Sequence, residues 1–129
     1  MKFAGEITDP IHRYIPFTNV ERELLDTPTF QRLRRIKQLS GAHLVYPCAQ
    51  HSRFEHSLGT MHVAGYAAET LLAKGYLSKE DSIQELRLAA LLHDIGHGPF
   101  SHLFEEILDA KMQTEPRRLG QENYHQDRD

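Results

Sequence analysis

The sequence predicts an all-α fold, a helical bundle with a short extended N-terminal arm. Two capping boxes and one helix that is apolar on all sides predict it. Thr18-Asn19-Val20-Glu21 and Ser52-Arg53-Phe54-Glu55 follow the pattern in which each end side chain satisfies a backbone N–H of the other residue, marking a helix start. Leu86, Leu88, Ala89, Ala90, Leu91, Leu92 and Ile95 cover the whole circumference of a helix, which calls for a central position. A length of 129 residues is that of about one domain.

Residues 1–16 hold two prolines and short mixed apolar runs, which suit an extended arm or small hairpin better than a helix. The helix opened at Thr18 should end near Asp26, where Thr27-Pro28 supplies a new cap and a proline at the first helical position. The next helix is predicted over 28–40, with Leu33, Ile36 and Leu39 as an apolar arc and Gly41 as its end. Its Arg32, Arg34, Arg35 and Lys37 spread to both flanks at about 100° per residue. They are either solvated cations framing the arc or phosphate ligands.

After a turn containing Pro47, the Ser52 capping box opens a helix over 52–74 closed by Gly75. Phe54, Leu58, Met61, Gly65, Ala68 and Leu72 repeat at helical spacing as its core face. His56 lies off that stripe with Gly59, Val63, Ala67 and Thr70, small residues that leave room for a neighbouring helix or a ligand. Ser78 and the acidic residues after it start the apolar helix, which Gly96 and Gly98 end. Pro99 opens a last helix with Phe100, Leu103, Phe104, Ile107 and Leu108 on one face. The expected organisation is an arm over 1–16, a helical domain over 17–108 and a polar loop or tail over 109–129.

A net charge of −3 argues against a surface built wholly for nucleic acid. Cys48 is the single cysteine and cannot form an internal disulfide; it reads as a small packing residue. No membrane-spanning run or secretory signal is visible, so a cytoplasmic protein is expected.

Nine histidines are the unusual feature, and His43, His51, His56, His62, His93 and His97 fall within 55 residues. A His or Asp buried in an apolar helix costs several kcal/mol unless it is paired or bound to metal. His93 and Asp94 therefore read as a metal-binding pair or as a buried hydrogen-bonded pair. Adjacent residues diverge by about 100° on a helix, so both can serve one ion only near its end. Imidazole with carboxylate suits manganese, iron, nickel or zinc. His97 is a ligand-facing group or a histidine complementing the helix dipole, and His102 points away from its helix's apolar stripe.

The runs DTPTFQRLRRIKQL (26–39), HSRFEHSLG (51–59) and LLHDIGHGPFSH (91–102) resemble HD-domain phosphohydrolases, and more narrowly their deoxynucleoside triphosphate triphosphohydrolase branch. The resemblance covers about residues 5–108 and implies an HD-domain bundle. It implies a divalent ion (Mn, Fe, Ni, Zn or Mg) held by His56, His93 and Asp94. Arg53 would hold substrate phosphates, Gln38 and Leu39 would face the deoxyribose, and His97, His102 and His125 would be catalytic. The implied reaction cleaves a deoxynucleoside triphosphate (dNTP) to deoxynucleoside and triphosphate. A regulatory nucleotide at Asp26, Gln31 and Arg34 and a homo-oligomer are implied as well, although Thr8 replaces an asparagine found in a relative, a departure that argues against allosteric control.

The family completes its metal site with a downstream aspartate that has no recognisable counterpart here. The expectation is therefore an incomplete, N-terminal part of an HD domain, self-associating through its uncovered apolar helix. Two alternatives stand beside the dNTP reading. One is hydrolysis of another phosphate ester, such as a nucleoside monophosphate or cyclic nucleotide. The other is a non-catalytic nucleotide- or nucleic-acid-binding module that uses the cations of 32–37.

Overall fold

A computed structural model describes residues 1–78, 81–100 and 106–111. Its N-terminal arm is a β-hairpin, which corrects the all-α expectation: β1 (Gly5–Asp9) pairs antiparallel with β2 (Arg13–Phe17), Ile7 opposite Ile15. The Asp9 carboxylate closes the turn by accepting from the N–H groups of Ile11 and His12 at 2.9 and 2.7 Å. Alternation along the strand turns Ile15 inward, where it is fully buried in the core, while Tyr14 stays exposed. Ile15, with the partly buried Ile7 and Phe17 beside it, thus docks the arm onto the helices.

Helix α1 (Asn19–Leu25) starts on the expected capping box. The Thr18 N–H donates to Glu21 Oε2 at 2.8 Å, and the Glu21 N–H donates to Thr18 Oγ1 at 3.3 Å. Helix α2 (Pro28–Gln31) has the predicted Thr27 cap and leading proline but lasts only four residues. It tightens into a 3-10 turn over Arg32–Arg35, and Ile36 is extended. The reason lies in the spacing: Phe30, Leu33 and Ile36 are all buried, and a three-residue period aligns them on one ridge.

The chain then leaves helical geometry to pair with the segment before the next helix. The Arg53 N–H donates to the Ile36 carbonyl at 2.8 Å and the Gln38 N–H to the His51 carbonyl at 3.1 Å. Leu39, expected on the apolar arc, is 49% exposed.

Helices α3 (Arg53–Ala73) and α4 (Asp81–Leu92) pack against each other. The buried face of α3 carries Phe54, Leu58, Met61, Gly65 and Ala68, as its periodicity predicts. On α4, Ile83, Arg87 and Leu91 are buried, whereas Leu86 is 41% exposed and Ala89 is exposed. Among the described residues, therefore, this helix is covered on one side and is not central. Residues 79 and 80 of its expected cap lie outside the described residues, as do 101–105 of the last expected helix and 112–129 of the expected tail; 106–111 are helical.

A buried ion pair ties these elements together. Arg87 Nε donates to Glu21 Oε1 at 2.7 Å, and a terminal guanidinium nitrogen donates to Glu21 Oε2 at 2.9 Å and to the Pro16 carbonyl at 2.7 Å. Gln84 adds a bond to Glu21 Oε1 at 2.9 Å. Gly65 lets the guanidinium pass, because a Cβ there would sit 2.7 Å from an Arg87 nitrogen. Burial by itself raises the Glu21 carboxyl, but the bonds from Arg87, Thr18 and Gln84 and the Arg87 charge together hold it below its ordinary 4.5.

Stripping one partner from a buried pair strands the other charge, so Arg87→Ala should cost about 3–5 kcal/mol in denaturant unfolding. A depressed carboxyl contributes stability above its unfolded value and loses it as pH falls through its folded one. Wild-type stability should therefore drop below about pH 4.5, and Glu21→Gln should flatten that dependence.

Candidate metal centre

Two helix ends form the centre. His56 lies one turn into α3, off the core stripe, and α4 ends at Leu92, so His93 and Asp94 occupy the turn that follows. Leaving the helix is what lets these two neighbours converge: His93 Nε2 is 3.3 Å from Asp94 Oδ1. His56 Nε2 approaches Asp94 Oδ2 from the other helix at 3.8 Å. Potential donor atoms of His56, His93 and Asp94 all lie within 4.8 Å of one another.

The surroundings prepare these groups for a cation. His93 Nδ1 is 2.7 Å from the Ala90 carbonyl, which can only accept. The proton is thereby fixed on Nδ1, and the Nε2 lone pair is left for a metal. Burial lowers the His56 pKa; Asp94 pushes it up, and His93, Arg53 and His51 push it down, with a net depression below 6.5. A neutral imidazole, the ligating form, follows at neutral pH. Asp94 is 5% exposed and accepts from the equally buried Arg53 guanidinium at 2.5 Å, which orients its carboxylate.

Two nitrogens and a carboxylate match a divalent ion of borderline softness, and donors about 2.0–2.2 Å from a common ion sit roughly 3–4 Å apart. The His93–Asp94 and His56–Asp94 spacings already meet that requirement. The side chains present therefore fit a metal.

Other residues singled out in the sequence distribute unevenly. His97 joins the cluster, its Nε2 3.4 Å from Asp94 Oδ1. Gln38 is anchored by its backbone bond to His51, and its buried Oε1 has no hydrogen-bond partner among the described residues. Leu39 beside it is half exposed. Asp26 pairs with Arg22 at 3.6 Å, while Gln31 Oε1 accepts from Arg34 Nε at 2.7 Å. The Arg34 guanidinium lies 3.6 Å over the Phe54 ring. His102 and His125 lie outside the described residues.

A cavity of about 730 Å³ opens beside His56, between the hairpin turn and the small-residue face of α3, with His12, Gly59 and Val63 in its walls. Cys48 also lines it and is exposed, contrary to the packing role expected of it. Sequence reasoning missed Arg87 and the inward turn of Arg32. A lone cation between Leu86 and Leu88 was the available signal for Arg87. Among the described residues no helix is long and apolar enough to cross a membrane.

The HD-domain family profile matches residues 53–127. Deoxynucleoside triphosphate triphosphohydrolase SAMHD1 of Bos taurus is 49% identical over 102 residues, 77% of this chain and 17% of that protein. An uncharacterized protein of Methanocaldococcus jannaschii is 50% identical over 99 residues, 77% of this chain and 20% of its own length. The chain thus spans about a fifth or less of these two relatives. The crystal structure of a hypothetical protein from Aquifex aeolicus superposes with a TM-score of 0.71 at 44% identity, covering 81% of this chain and 26% of that one.

Manganese titration by calorimetry should give one site per chain, and His93→Ala or Asp94→Asn should weaken it by more than about 100-fold, beyond the effect typical of outer-shell partners. Because His56 is depressed, its share of the affinity should persist to below pH 6.5 before protonation removes it.

Proposed function

The chain belongs to the HD-domain family, and from that membership we propose that it carries the site of a metal-dependent phosphohydrolase that cleaves dNTPs to deoxynucleoside and triphosphate. The observation that carries this reading is the convergence of His56, His93 and Asp94 beside a buried arginine. The similarity to SAMHD1 enzymes, named for that reaction, supports the substrate.

In this reading His56, His93 and Asp94 hold the divalent ion, whether Mn, Fe, Ni, Zn or Mg. Bound there, the ion supplies Lewis acidity toward a phosphoryl oxygen and a lowered pKa for water. Arg53 offsets the phosphate charge from within the buried site, where a guanidinium acts more strongly than in bulk water. Water attacks the α-phosphorus, the bond to the 5′-oxygen breaks, and His97 delivers a proton to that oxygen as the deoxynucleoside leaves. Gln38 and Leu39 face the sugar.

His102 is assigned to the same α-phosphate side, and His125 to a further catalytic role. Asp26, Gln31 and Arg34 are assigned to a regulatory nucleotide, and the active form to a homo-oligomer. Three of the four cations of 32–37 make contacts within the chain: Arg32 bonds backbone carbonyls, Arg34 stacks on Phe54 and Lys37 bonds Gln50.

Incubation of dNTPs with the protein and manganese or magnesium should release deoxynucleoside and triphosphate in equal amounts by anion-exchange chromatography, without pyrophosphate. Arg53→Ala should slow the reaction by at least about 100-fold, the scale seen when a group stabilising transition-state charge is removed. Hydrolysis of a nucleoside monophosphate or cyclic nucleotide with dNTPs left intact would overturn the substrate assignment.

A further inference from the structure

The turn that follows α4 is held from outside by Arg32. One terminal nitrogen of its guanidinium donates to the His97 carbonyl at 2.9 Å, and the other donates to the Ile95 carbonyl. Carbonyls at a helix C-terminus lack partners within the helix, and a guanidinium offers two donors in a fixed fork, which an ammonium does not. Among the described residues, a Cβ at Gly96 in the middle of this turn would meet no atom within 4 Å beyond its chain neighbours. Two local backbone bonds also shape the turn, from the Ile95 N–H to the Leu92 carbonyl and from the His97 N–H to the Asp94 carbonyl.

The 3-10 turn over Arg32–Arg35 sends Arg32 inward. It leaves Arg34 and Arg35 exposed while Arg32 is half-buried and Leu33 fully buried. A residue 65 positions earlier in the chain therefore sets where the His97 backbone lies, and with it the 3.4 Å approach of the His97 ring to Asp94.

We infer that Arg32 is a positioning residue for His97, clamping the Ile95–His97 turn so that the imidazole stays beside the Asp94 carboxylate. It acts through two carbonyls and does not itself touch substrate. The kinetic part of the test rests on the proposed phosphohydrolase reading; the spectroscopic part does not.

Ring ¹H–¹³C correlations of the metal-free protein test the placement directly. Arg32→Gln should shift or broaden the His97 signal while His12 and His62, whose rings meet at a tilt 4.9 Å apart between hairpin and α3, keep theirs. Arg32→Lys, with a point charge in place of a fork, should give a smaller displacement. In hydrolysis, Arg32→Gln should lower kcat by about 10- to 100-fold, the range for residues that orient a reacting group, with KM changed less than about threefold. Added to His97→Ala, it should cost nothing more, because both remove one function.

An unmoved His97 signal in Arg32→Gln would overturn the inference, as would kinetic losses that multiply in the double variant. Equal displacement of His97, His12 and His62 in both Arg32 variants would assign Arg32 to general stability instead. If no nucleotide is cleaved at all, the phosphohydrolase reading fails and the metal-free spectra still decide the role of Arg32.

Discussion

The fold depends on one buried charge pair. Glu21 caps α1 and at the same time receives Arg87 from α4, so a single carboxylate joins a local helix start to a partner 66 residues away. Burying both charges is costly, and the cost is offset only where the remaining donors and acceptors are satisfied. Here Thr18, Gln84 and the Pro16 carbonyl complete the set, and the absent side chain of Gly65 gives the guanidinium its passage beside α3. Hairpin, α1, α3 and α4 are thereby held in one mutual arrangement, which hydrophobic contact alone would specify less sharply.

That arrangement sets the candidate metal centre. His56 comes from α3 and the His93–Asp94 pair from the turn after α4, so the packing of the two helices sets how closely the donors approach. Arg53 repeats the device of Arg87 on a smaller scale, reaching from α3 to Asp94 across 41 residues. A carboxylate gripped in this way has a fixed direction, and a ligand of fixed direction loses less entropy when it binds an ion. The same helix carries the small-residue face beside His56, and space remains there as the cavity against the hairpin turn.

The basic stretch of 32–37 shows how tertiary contacts divide what composition groups together. Four cations within six residues look like one surface. The 3-10 turn instead sends Arg32 to the carbonyls after α4 and Arg34 onto Phe54, while Lys37 bonds the Gln50 carbonyl. Arg32 is thereby committed to holding the chain together, while Arg34 and Arg35 stay exposed.

Much of this was legible in the residues themselves. Both capping boxes and the core stripe of α3 follow from hydrogen bonds and periodicities that span three or four residues, so the sequence alone determined them; the end of α4 did not, since it stops at Leu92 and not at the Gly96 and Gly98 expected to close it. The metal cluster was legible only in part: the residue types of His93 and Asp94 left a metal pair and a hydrogen-bonded pair both open, and His56 joined them through the resemblance. Tertiary structure decided the rest. The predicted helix over 28–40 stops early because Ile36 and Gln38 find backbone partners at Arg53 and His51. Arg87 is buried because Glu21 waits for it, and Ile15 pins a hairpin that its own strands would barely hold in water. Local rules fix where an element begins; which side chain it buries depends on groups 40 to 70 residues away, and only the folded chain brings those within reach.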